Sequence, residues 1–131
     1  MIAVDTNVLV RFLVTGDDPG QSARATATFQ GERIFLARTV VLETAWVLRR
    51  SFGFDREQIA MALRLLSGLA NVEIEGAAGL ARALGWMEAG LDVADALHLA
   101  ATPGGADFVS FDRGLARRAG RVGGAPAVRE P

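Results

Sequence analysis

The sequence predicts an α/β fold: a central, largely parallel sheet of four to five short strands, flanked by helices on both faces. Three observations lead to it. Short apolar runs, Ile2 to Val4, Ile34 to Ala37, Val72 to Ile74 and Phe108 to Ser110, alternate with longer stretches of helical periodicity. Most of the helical stretches open on residues suited to an N-cap, and several close on glycine. Finally, the stretch Leu91 to Ala101, LDVADALHLAA, is apolar almost all round, as befits a helix set inside a protein.

Taken in order, the first apolar run stops abruptly at Asp5, after which Thr6 offers a cap for a short helix over Val8 to Leu13. Asp18 caps a second helix, with Pro19 at its first position, and this helix runs to about Gln30 before Gly31. Strand Ile34 to Ala37 follows. Thr39 then caps a helix from Val40 to Phe52, stopped by Gly53, with Val40, Val41, Thr44, Val47 and Leu48 as its buried stripe. Asp55 and Gln58 form a capping box for Arg56 to Leu69, whose Ile59, Ala62, Leu63, Leu66 and Leu69 recur at helical spacing. Strand Val72 to Ile74 turns Glu73 to the side opposite its neighbours. A helix over Ala77 to Ala89 ends at Gly90. Asp92 caps the central apolar helix and puts Asp95 at N3, where the helix dipole favours a negative charge. A fourth strand ends at Phe111-Asp112, a short arginine-rich helix covers Gly114 to Ala119, and Ala127 and Val128 pair as an edge strand.

Composition bounds the function. The 131 residues make one domain, 1–131, and 50% hydrophobic residues supply a core and argue against disorder. No apolar run reaches the roughly 18 residues of a membrane span, and no signal peptide opens the chain. A cytoplasmic location is therefore expected. The absence of cysteine excludes disulfides and thiolate metal sites. All 14 basic residues are arginine, which excludes a phosphate-loop lysine, a Schiff base and a lysine nucleophile. A net charge of −1 argues against bulk electrostatic capture of nucleic acid and leaves room for a local basic rim.

In a parallel sheet all strand C-termini share one edge, where such folds place their ligands. Asp5 and Asp112 end strands; Glu43 and Asp95 lie near the start of helices. Each alone also suits a cap, a turn or a dipole-favoured surface position, but the four together project toward one edge. Carboxylates that crowd one another need a compensating cation. With oxygen donors only, the expected ion is hard, Mg²⁺ or Mn²⁺, and the chemistry it suggests is phosphodiester hydrolysis. His98, one turn beyond Asp95, reads as a structural histidine on a buried helix.

The segments IAVDTNVLVRFL, TVVLETAWVL, LDVADALHLAA and VSFDRGL resemble the four signature segments of the PIN domain family, and most closely its small VapC-type ribonuclease toxins. The resemblance runs from about residue 2 to 115. It implies that Asp5, Glu43, Asp95 and Asp112 form an acidic catalytic and metal-binding set, supported by Asn7 and Ser110. Asp92 is an additional acidic residue, assigned mainly to the helix start. Ser110 stands where many relatives have Thr, and both supply a hydroxyl. The resemblance also implies an endoribonuclease acting on RNA, a homodimer and a cognate antitoxin.

Two other enzymes that use strand-end aspartates fit less well. A haloacid-dehalogenase-type phosphatase needs a second acid where this chain has Asn7, and it usually has a lysine; a response-regulator receiver also needs a lysine. A PIN-like module that only binds RNA or a partner remains the alternative from another class. For holding RNA, Arg113, Arg117 and Arg118 form the candidate phosphate contacts, with Arg121 four residues beyond Arg117. Apolar residues of Val8 to Leu13 and Arg56 to Leu69 exceed one small core, so part of that surface is expected to meet a partner.

Overall fold

A computed structural model describes residues Met1–Pro131. It is a mixed α/β protein with seven helices and short parallel strands, and the chain divides into two compact units, Met1–Ala77 and Ala78–Pro131. No helix is long and apolar enough to cross a membrane.

The N-terminal unit runs β1 (Ile2–Ala3), α1 (Thr6–Leu13), α2 (Pro19–Gly31), β2 (Ile34–Leu36), α3 (Arg38–Phe52), α4 (Arg56–Ser67) and β3 (Val72–Ile74). Its strands form a parallel sheet in the order β1-β2-β3, with Ile2 opposite Ile34 and Ile34 opposite Val72. Each strand-to-strand connection carries two helices, the crossover that parallel pairing requires. Ile34 and Leu36 are fully buried, and Val41, Leu48, Ile59, Leu63 and Leu66 from α3 and α4 join them in the core. The rings of Phe12 and Phe29 stack with centroids 4.0 Å apart, tying α1 to α2.

The C-terminal unit comprises α5 (Ala77–Glu88, its first residue closing the preceding unit), α6 (Val93–Ala100), β4 (Phe108–Val109), α7 (Arg113–Arg121) and β5 (Val128–Arg129). Strand β4 pairs in parallel with β5, and Trp86 Nε1 of α5 donates to the Gly123 carbonyl at 3.0 Å. That bond satisfies the indole of a buried tryptophan and fixes the tail of the unit.

The helices and parallel strands are those expected, with five corrections. The five strands hydrogen-bond as a three-stranded and a two-stranded sheet, not as one ladder. Helix α1 starts at Thr6 because Asp5, not Thr6, is its cap, its Oδ1 accepting from the Thr6 N–H at 2.8 Å. Helix α3 starts at Arg38 with Ala37 at the cap, so Thr39 caps nothing; Glu75, just after β3, accepts from the Arg38 N–H at 2.9 Å instead. Helix α4 stops at Ser67, leaving Leu69 outside it and exposed. In the stripe of α3, Ala45 is buried while Val40 and Val47 are only half-buried. The Asp55–Gln58 capping box is present as expected, with reciprocal bonds of 2.8 and 2.9 Å.

Candidate active site

The acidic residues of the C-terminal unit centre on the start of α6. Asp92 is its N-cap, accepting from the Ala94 N–H at 3.3 Å, and this sets Asp95 at N3. Val93, Ala96, Leu97 and Leu99 are buried, so Asp95 is drawn toward an apolar helix face and is itself half-buried. Burial pushes its carboxyl above the usual aspartate range, and the negative charges of Asp92 and Asp112 push it further the same way; Arg118 and His98 act in the opposite sense. Arg118 Nη2 lies 4.0 Å from Asp95 Oδ2, at the outer limit of an ion pair. His98 is exposed, not enclosed as a core histidine would be, because α6 turns that side to solvent.

Asp112 caps α7, its Oδ1 accepting from the Leu115 N–H at 2.9 Å. The hydroxyl oxygen of Ser110 accepts from the Asp112 N–H at 3.0 Å, so Ser110 shapes the backbone that delivers the carboxylate. Gly114 matters for space: a Cβ there would stand 2.9 Å from Arg118 Nη1 and 3.1 Å from Asp112 Oδ1. Of the arginines following Asp112, Arg113 is committed to Glu130 at 2.6 Å, Arg118 faces Asp95, and Arg117 is exposed.

In the N-terminal unit, Asp5 sits just after β1 and is exposed, its Oδ1 engaged by Thr6. Asn7 is exposed in the first turn of α1. Glu43 lies in the second turn of α3, exposed and without an ion pair. It therefore stands farther along its helix than Asp95 does along α6, because α3 begins two residues earlier than expected.

The donor chemistry suits a hard cation. Every candidate ligand is a carboxylate, and Asp5 and Asp112 each spend one oxygen on a helix start, leaving Oδ2 for a ligand. The crowding of Asp95 by Asp92 and Asp112 is what a divalent ion would relieve. No three His, Asp or Glu side chains are, however, grouped so as to hold an ion.

Three features escaped sequence reading. Glu75 follows β3 as Asp5 follows β1, and the same signal, a carboxylate ending an apolar run, would have found it. The hydroxyls of Thr6, Ser22 and Thr44 are buried without a hydrogen-bond partner, a condition set by packing that no pattern reveals. Arg11 of α1 and Arg24 of α2, which no motif in the sequence singles out, line a cleft with Asn7.

These features define the class. The PIN domain family model matches residues 2–121, and the chain belongs to that family. PIN domains are generally nucleases and generally use divalent metal ions. No curated protein and no solved structure gives a match to the chain.

Proposed function

We propose that residues 1–131 form one PIN domain and that it is a metal-dependent endoribonuclease. It hydrolyses RNA phosphodiester bonds in the cytoplasm as the VapC-type toxin of a toxin–antitoxin pair. The observation that carries the reading is Asp95, a half-buried carboxylate whose charge is opposed by burial, Asp92 and Asp112. An aspartate so placed gains from a cation more than a solvated one does.

Asp5, Glu43, Asp95 and Asp112 are the residues that would hold Mg²⁺ or Mn²⁺. When bound, the ion supplies Lewis acidity at the phosphate and a water of lowered pKa. The chain's own residues do the positioning. Ser110 and the N–H of Leu115 fix Asp112, leaving one of its oxygens for the ion. Arg118 partly neutralises Asp95, and Arg117 offers a free guanidinium for a phosphate, with Arg113 held back by Glu130. Asp92 serves mainly the helix start.

The partners belong to the same proposal: a cognate antitoxin and a second copy of the chain. Trp46 on α3 and Met61 and Leu65 on α4 are exposed apolar side chains, which supports a covered face there. Helix α1 contributes less to such a face than its composition suggested, since Leu9 and Val10 are buried and Phe12 stacks on Phe29.

A second reading, a catalytically impaired PIN-like module that binds RNA or a partner, is favoured by the absence of any three acidic side chains grouped for an ion. Mapping of RNA ends after induction separates the two. The ribonuclease reading predicts new, discrete ends with wild type and none with Asp95→Asn, and loss of cleavage by purified protein in EDTA with recovery in Mn²⁺. Ends that appear equally with Asp95→Asn would refute it.

A further inference from the structure

The sequence places the candidate RNA contacts on α7, yet the N-terminal unit carries a cleft with two arginines of its own. Helices α1 and α2 enclose a cleft of about 470 Å³ lined by Asn7, Val8 and Arg11 from α1 and by Gln21, Arg24, Ala25 and Thr28 from α2. The spacing explains why these residues share it. Asn7 and Arg11 are four apart on α1, and Gln21, Arg24 and Thr28 recur at three and four on α2, so each set lies along one helix face.

The two arginines are held differently. Arg11 is anchored: its Nε donates to Gln21 Oε1 at 3.1 Å and its Nη1 lies 3.5 Å from Asp17 Oδ1. A Cβ at Gly16 would strike Arg11 Nη1, so the glycine is what lets the guanidinium lie against the turn. Arg24 is exposed and makes no ion pair or side-chain hydrogen bond. One fork is thus pre-organised with its Nη2 to spare, and the other is free. The cleft also presents the amides of Asn7 and Gln21 and the hydroxyl of Thr28, which donates to the Arg24 carbonyl at 2.9 Å and keeps its acceptor capacity.

We propose that this cleft is a phosphate-binding subsite for the RNA strand, with Arg24 and Arg11 as its donors. The inference rests on the ribonuclease reading, which makes Asp5 part of the acidic set. Asp5 caps α1, and Asn7, Val8 and Arg11 of that same helix line the cleft, so one helix carries both the carboxylate and part of the subsite. Planar guanidinium forks match phosphate oxygens, and amides and hydroxyls match ribose. No aromatic side chain lines the cleft, so it offers no stacking platform for a base. It therefore reads the backbone and tolerates sequence. An acidic polypeptide fits less well, because nothing apolar except Val8 and Ala25 is present to receive its side chains.

The test is binding of a short random-sequence single-stranded RNA to the Asp95→Asn protein, which lies in the other unit and keeps the strand intact, as a function of salt. Arg24→Gln on that background should weaken binding several-fold and make the log–log salt slope shallower by about 0.7, the increment for one phosphate on a single strand. Arg11→Gln should add a second such step. Arg33→Gln, an exposed arginine outside the cleft and near Glu73, should leave the slope as it was. Melting curves should agree between Arg24→Gln and its parent, since Arg24 has no partner to lose. RNA binding with an unchanged slope in Arg24→Gln, while wild type cleaves, would overturn the subsite alone. A protein that neither binds nor cleaves RNA would overturn the ribonuclease reading and the subsite with it. Loss of poly-glutamate binding in Arg24→Gln, with RNA binding intact, would assign the cleft to an acidic peptide and also overturn the inference.

Discussion

The two units treat charge in opposite ways. In the C-terminal unit acids crowd acids: Asp95 is half-buried with Asp92 and Asp112 acting on it, and Arg118 approaches only to 4.0 Å. In the N-terminal unit the acidic residues Asp5 and Glu43 stand exposed, and the concentrated charge is positive, in the Arg11–Arg24 cleft. The cause lies in the helix starts. Helix α6 carries one aspartate at its cap and another in its first turn, beside a face buried through Val93, Ala96, Leu97 and Leu99, whereas α1 carries one aspartate at its cap and an arginine in its last turn. A site that strains a carboxylate is prepared for a cation, and a cleft with unpaired guanidinium is prepared for an anion.

Catalysis offers the largest effect by which this contrast can be broken. Asp95→Asn and Asp112→Asn should each lower RNA cleavage by at least about 100-fold, the scale of losing a charged group at a metal-dependent site. Asp92→Asn should cost far less, because asparagine also caps a helix well. Rates measured on the same RNA decide it; a loss with Asp92→Asn as large as with Asp95→Asn would place Asp92 among the ligands.

Stability with metal comes next. Wild type melted in EDTA and then in Mn²⁺ at about 100 times its Kd should gain about 2.7 kcal/mol, and Asp95→Asn should gain much less. Identical melting in both conditions would remove the cation from the account.

A smaller effect probes the N-terminal unit. Thr44 is fully buried with its hydroxyl unpaired, so Thr44→Val should stabilise the protein by about 1 kcal/mol in denaturant unfolding. A loss of stability instead would reveal a partner for that hydroxyl, such as a bound water.

The smallest effect is on pH. The carboxyl of folded Asp95 holds its proton above the ordinary 3.8, so protonation favours the fold. Its contribution is fully present below that value and is lost as pH rises through the raised pKa. Metal-free wild type should therefore lose melting temperature over that window relative to Asp95→Asn, which has no such group to ionise. Parallel curves for the two proteins would contradict the strain assigned to Asp95.

Much of this was legible in the sequence because the signals are local. The caps at Asp18, Asp55 and Asp92, the position of Asp95 at N3 and the exposure of Glu73 all depend on residues a few places apart. The failures came where a distant residue intervened. Thr39 lost the start of α3 to Glu75, 37 residues away from Arg38. Arg113 reads as a free cation until Glu130 is seen beside it, and Arg11 owes its placement to Gln21, Asp17 and Gly16. His98 was assigned to a buried helix on composition, but one side of α6 faces solvent. The candidate acidic residues were all named from the chain, whereas their inequality, Asp95 strained and Asp5 exposed, depends on burial and is visible only in the fold.

The most direct test of the central claim, that strained Asp95 is a metal-binding carboxylate, is calorimetric titration of Mn²⁺ into wild type and Asp95→Asn at neutral pH. Wild type should bind, and Asp95→Asn should bind at least about tenfold more weakly while keeping its fold. Equal affinity in the two proteins, or no binding by wild type, would contradict the claim.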